Sequence, residues 1–90
     1  MEPTSAQTVR EAILDRVAEE LAAKGLTPSD VPDSFDLLLE GVIDSFGVVE
    51  MIMMLEERFG MAFDFDELPA DDLTKIGALS EYVEGKSGRP

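Results

Sequence analysis

Gly41-Val42-Ile43-Asp44-Ser45-Phe46 runs without a break into Gly47-Val48-Val49-Glu50-Met51-Ile52-Met53-Met54-Leu55-Glu56-Glu57-Arg58-Phe59, and the join between these stretches decides the fold. Upstream lie the turn formers Pro28, Pro32, Asp33 and Ser34. Downstream the apolar residues recur at helical spacing, so Ser45 stands where a loop becomes a helix over Ser45 to about Phe59. The first turn of a helix leaves backbone N–H groups without partners and carries the positive end of the macrodipole, which suits a capping side chain or a phosphate. Asp44 and Ser45 are both good caps, and on this dipeptide alone a simple cap is the plainer reading.

The helix itself adds more. At about 100° per residue, Val48, Met51, Ile52, Leu55 and Phe59 share one face, which is a complete core stripe. Phe46, Val49 and Met53 line up nearly opposite, with Glu50, Glu56 and Glu57 beside them. That second apolar stripe either faces another part of a small core or forms a docking strip, apolar in the middle and acidic at the rim. Of the methionines, Met51 is expected in the core, and Met53 and Met54 at or near the strip, where flexible thioethers adapt to changing surfaces.

Asp44-Ser45-Phe46 with Leu39-Glu40-Gly41-Val42-Ile43 before it and Glu50, Leu55-Glu56-Glu57-Arg58-Phe59 after it resembles the acyl and peptidyl carrier proteins over roughly Val9 to Val83. In that family an Asp-Ser-Leu motif opens the second helix of a four-helix bundle; Phe46 replaces the commoner leucine with another bulky apolar residue. The resemblance implies that a phosphopantetheinyl transferase esterifies the Ser45 hydroxyl with 4'-phosphopantetheine from coenzyme A. The arm's thiol then holds an acyl, aminoacyl or polyketide group as a thioester. It also implies that Asp44, Phe46, Val49, Glu50, Met53, Glu56 and Glu57 face the partner enzymes, and that a short third helix near the arm helps shape a substrate pocket.

Composition agrees. The chain has no cysteine and no histidine, which excludes Cys–His and Ser–His nucleophilic machinery. A carrier, whose thiol comes from its prosthetic group and whose chemistry comes from its partners, is no enzyme and needs neither. Acidic residues outnumber basic ones 20 to 7, a formal net charge of −13, which argues against nucleic acid and anionic membrane surfaces. Between Asp30 and Thr74 the only cation is Arg58, so the field around Ser45 suits partners with basic patches and fast, short-lived encounters. The acids at 64, 66, 67, 71 and 72 do not make a calcium loop, and no metal site is expected. Neither a signal peptide nor a membrane span is legible, so the expected location is the cytoplasm.

Ninety residues make one domain, read as a core over about 5–84 and a frayed tail over 85–90. The first helix starts near Thr4 or Ser5, with possible capping boxes at Thr4-x-x-Gln7 or Thr8-x-x-Glu11, buries Val9, Ile13, Leu14, Val17 and Leu21, and ends at Gly25. From Gly25 to Asp44 a long connection, taken to join two helices running the same way, is pinned by Leu26, Val31, Phe35, Leu37, Leu38 and Leu39. Within it, Asp36 to Leu39 is expected to form a helical turn capped by Ser34. After Gly60 a loop tucks in Phe63 and Phe65, Pro69 opens a short helix over Ala70–Leu73, and Thr74 caps a last helix with Ile76, Leu79 and Val83 inward. The expectation is an all-α, four-helix bundle, three longer helices and a short third one, acting as a discrete monomeric carrier. Its rival is an acidic helical adaptor that binds basic amphipathic segments without covalent attachment.

Overall fold

In the computed structural model, which describes residues 5–87, the chain forms α1 (Ala6–Arg16), α2 (Ala18–Ala23), α3 (Ser45–Phe59) and α4 (Ile76–Ser87), with 3-10 turns at Pro28–Asp30 and Ala70–Asp72. No strand occurs among the described residues; one isolated bridge pairs Asp36 with Lys75. The all-α expectation holds. Ser5 caps α1, its hydroxyl accepting from the Thr8 N–H. The Thr8 box is therefore not used, and Thr4 lies outside the described residues.

The expected single first helix is two segments. Buried, β-branched Val17 departs from helical torsions (φ −105°, ψ 15°), yet bonds from Val17 to Ile13 and from Leu21 to Val17 carry the rod across it. Val9, Ile13, Leu14, Val17 and Leu21 are all buried, against Ile76, Leu79 and Val83 of α4 and Met51 and Leu55 of α3. Val48, Ile52 and Phe59 complete the α3 stripe as half-buried residues. Met54 belongs with them, packed on the core and away from the opposite strip.

The senses of the helices differ from expectation. A Cβ at Gly41 would lie 3.4 Å from the Lys24 ammonium, and Arg16 and Glu20 share a surface depression with Gly47 and Glu50. The first helical rod thus ends beside the start of α3 and runs opposite to it. It is α3 and α4 that run the same way: Ile43 and Val48 meet Thr74 and Leu79 at one end. At the other end Glu56 and Tyr82 bind the backbone of Phe63 and Asp64. The return journey falls to residues 60–75.

The long first connection is held from within. Asp36, not Ser34, caps the turn before the serine: its Oδ1 accepts from the N–H groups of Leu38 and Leu39, both at 3.0 Å, and from the Thr74 hydroxyl at 2.7 Å. Thr74 is consequently engaged with Asp36 and does not cap α4, which starts two residues later. The first N–H groups of α4 go instead to loop carbonyls, Ile76 to Phe35 and Gly77 to Asp33. Gly41 (φ +74°) ends the turn, with Gly41 N–H bonded to Leu38 and Val42 N–H to Leu37. This pairing satisfies the last carbonyls and needs the left-handed residue that glycine supplies. Such a turn leaves Leu38 and Leu39 facing outward, 39% and 81% exposed, so these two are not anchors; Leu37 and Val31 are.

Burial alone pushes the Asp36 carboxyl up. The Thr74 hydroxyl, the Leu39 and Leu38 N–H groups and the Lys75 charge together outweigh it and hold the carboxyl below the ordinary aspartate range. A depressed folded-state pKa contributes stability that is present above the unfolded value and lost as pH falls through the folded one. Asp36→Ala removes three accepted bonds and strands the buried Thr74 hydroxyl, with an expected loss of about 2–3 kcal/mol at neutral pH. Asp36→Asn keeps the shape without the charge. Its stability is expected to fall less than that of the wild type between pH 5 and pH 2, as read by urea denaturation at each pH.

Past α3 the alternating segment is a loop. Phe63 is buried, but Phe65 stacks on its outside, 6.1 Å between centroids, and stays 59% exposed. Phe63 and the rim residue Tyr82 fill that end of the bundle, which leaves no inward place for a second ring. Pro69 precedes the 3-10 turn as its cap, and the expected short third helix is that single turn. Residues 85–87, read from sequence as tail, continue α4, where Lys86 pairs with Glu67 at 2.5 Å; residues 88–90 lie outside the described range.

Candidate attachment site

Three contacts present Ser45. The Leu37 carbonyl accepts both the Val42 and the Ile43 N–H, at 2.9 and 3.1 Å, and Val42 is buried beneath. The chain then extends at Asp44 (φ −98°, ψ −178°), whose Oδ1 accepts the Gly47 N–H at 2.7 Å. Asp44 is the cap. Ser45 is accordingly the first residue of α3, exposed, and its hydroxyl has no hydrogen-bond partner among the described residues. The plainer reading of the dipeptide, in which Ser45 caps the helix, is therefore corrected: Asp44 does so.

Gly47 serves the same arrangement. A Cβ there would meet Ile43 Cβ at 3.0 Å and the capping Asp44 Oδ1 at 3.3 Å, so a side chain would press on the loop and its cap together. The first intrahelical bond runs from Val48 N–H to the Asp44 carbonyl, and Asp44 Oδ1 takes the Gly47 N–H. The N–H groups of Ser45 and Phe46 have no acceptor among the described residues. They stand at the positive end of a 15-residue helix. A phosphodiester on Ser45 fits here: an exposed, unencumbered hydroxyl, with donors and dipole to offset the charge.

Along α3 the outward stripe is real surface. Phe46 is 71%, Val49 52% and Met53 61% exposed, and they follow one another at helical spacing. Glu50 and Glu57 are exposed beside them, and neither they nor Asp44 and Glu40 form a salt bridge among the described residues. Glu56 differs. It is half-buried, and its Oε2 accepts the Phe63 N–H at 2.8 Å, so this carboxylate also clasps the end of α3 to the following loop. Arg58 lies at the far end of the helix over the Phe59 ring.

The family model for the phosphopantetheine attachment site matches residues 11–83. The chain is 36% identical over 76 residues to an acyl carrier protein of Rubrobacter xylanophilus, covering 83% of this chain and 88% of the relative. It is 35% identical over 60 residues to an acyl carrier protein of Chlamydia muridarum, covering 67% and 75%. To a D-alanyl carrier protein of Bacillus velezensis it is 35% identical over 60 residues, covering 67% and 69%. No solved structure matches. The chain belongs to the phosphopantetheine-binding carrier proteins. It functions as a carrier and not as a catalyst, its prosthetic group is phosphopantetheine, and its partners are biosynthetic enzymes. No described helix is long and apolar enough to cross a membrane.

Proposed function

We propose that this is an acyl or aminoacyl carrier, with Ser45 as the attachment point of the phosphopantetheine arm. What supports the reading is the division of labour at the start of α3, where Asp44 caps the helix and leaves the adjacent serine hydroxyl exposed and unpaired. The chain has no histidine, and no described carboxylate is bonded to that hydroxyl. A base for attachment therefore has to come from the transferase. Once in place, the arm supplies a thiol that holds a partner's acyl group as a thioester. The residues of this chain fix the arm's root: the Ser45 and Phe46 N–H groups face the phosphodiester, and the stitched loop before Asp44 keeps that end of α3 from fraying.

Partners dock on Phe46, Val49 and Met53, with Asp44, Glu50 and Glu57 drawing in basic patches and Glu56 holding the helix end in place as well as adding charge. A covalent carrier and a non-covalent adaptor part company at the hydroxyl, and the carrier relatives favour the former. The pathway is open among fatty-acid, polyketide, nonribosomal-peptide and D-alanyl chemistry, and the site is expected in the cytoplasm, where coenzyme A is made.

Incubation with coenzyme A and a broad-specificity phosphopantetheinyl transferase is expected to add the mass of one arm; no gain with any such transferase contradicts the proposal. Phe46→Ala is expected to lower kcat/KM for arm transfer about tenfold or more, as for a central aromatic anchor. Because Phe46 is exposed, its melting temperature should not move. Raising the salt concentration should slow transfer to the wild type through weaker steering.

A further inference from the structure

We propose that this carrier keeps its cargo outside the bundle, so that the group it delivers is a short or polar acyl or aminoacyl unit and not a long aliphatic chain. The proposal rests on the carrier reading with the arm on Ser45. It starts from the place where a cargo pocket is expected, between the start of α3, the loop before the serine and the segment entering α4. The gap there, among Ile43, Met51, Ile52, Leu73 and Leu79, measures about 10 Å³. A dry cavity that takes up benzene is about 150 Å³. An eight-carbon chain is larger than benzene, so the gap would have to open many-fold.

Its walls are fastened to each other. Leu37 on one side donates its N–H to the Thr74 carbonyl on the other at 2.9 Å, and the Thr74 hydroxyl donates to Asp36 at 2.7 Å, in a buried setting. Two further bonds, Ile76 N–H to Phe35 and Gly77 N–H to Asp33, tie the same loop to the first turn of α4. Parting the walls therefore strands backbone groups and uncovers a carboxylate, where each lost partner is costly. The floor is also filled: Leu37, Met51, Ile76 and Leu79 are at most 2% exposed. An aliphatic chain on the arm would find no room between these walls, whereas a small or polar group in water needs none.

The wild-type chain, labelled with ¹³C at the methionine methyls, is loaded by the transferase from acetyl-, alanyl- or octanoyl-coenzyme A, and loading is read by mass. Met51 reports on the gap, and exposed Met53 serves as a reference. We expect the Met51 methyl shift and the melting temperature to be the same for all three forms. An octanoyl-specific shift at Met51, or an octanoyl-specific rise in melting temperature of more than about 5 °C, overturns the proposal while leaving the carrier reading intact. A chain that accepts no arm overturns the carrier reading, and this inference falls with it; the mass spectrum tells these two failures apart.

Discussion

Ser45→Ala is expected to abolish arm attachment completely while leaving the melting temperature within about 2 °C of the wild type. The two halves of this expectation have separate causes. Attachment goes because the substitution removes the oxygen to be esterified, and no other serine of the chain stands at the start of α3. Stability stays because the hydroxyl bonds to nothing among the described residues, and the helix cap belongs to Asp44. Alanine at the first helical position is also a good helix former. Asp44→Ala should behave the other way, costing about 1 kcal/mol through loss of the cap while leaving the hydroxyl in place. Circular dichroism melts and intact mass after transferase treatment read both quantities, and an unfolded Ser45→Ala protein would show that the serine has a structural duty.

Gly77→Ala is expected to destabilise the fold by about 2 kcal/mol, a fall in melting temperature of roughly 8–16 °C for a domain of this size. A Cβ at this position would lie 2.5 Å from Asp33 Cβ, 2.9 Å from its carbonyl oxygen and 3.0 Å from its Cα. Two of those atoms are backbone, so the loop must move as a unit. Moving it disturbs the Gly77 N–H bond to Asp33 and the pairing of Arg10 with the Asp33 carboxylate at 2.6 Å. The helix propensity gained by replacing glycine offsets about 1 kcal/mol, which is included in the figure. Gly85, further along the same helix, has no atom within 4 Å of such a Cβ; Gly85→Ala should therefore stabilise slightly. Opposite signs for two glycines of one helix would tie the effect to the loop contact and not to propensity.

Legibility in the sequence followed the range of the interactions. The α3 boundaries, the buried stripes of the first and last helices and the exposure of Phe46, Val49 and Met53 all follow from 3.6-residue periodicity and end signals such as Gly60, which are local. What periodicity cannot carry is the pairing of distant loops. Asp36 reads as a solvated acid before three leucines, yet its carboxylate joins Thr74, 38 positions away. The signal available was the aspartate itself followed five residues later by Gly41, a start and stop for one turn that would have placed the cap at Asp36 and turned Leu38 and Leu39 outward. Glu56 likewise reads as one more acid of the rim, because its bond to the Phe63 N–H depends on how the chain folds back after Gly60. The relative sense of the helices was misread for the same reason: chain length between two helices does not say which way they run. Gly77 inside a helical pattern is a signal of close approach that the periodicity reading passed over, and its partner Asp33 is invisible without the fold.

The same loop contacts connect stability to function. Asp33, Phe35, Asp36 and Leu37 bind the residues that enter α4, and Leu37 in turn holds Val42 and Ile43 directly before Asp44 and Ser45. Loosening the stitch should let the root of the arm wander, which slows partner transfer before the domain melts.

Fragment mass spectrometry of the protein purified from its native host tests the central claim most directly. The account predicts a single phosphopantetheine arm on Ser45, with a fraction of the thiols carrying a small or polar group. Protein that is bare at Ser45 yet supports its partners' chemistry, or that bears the arm on another side chain, would contradict it.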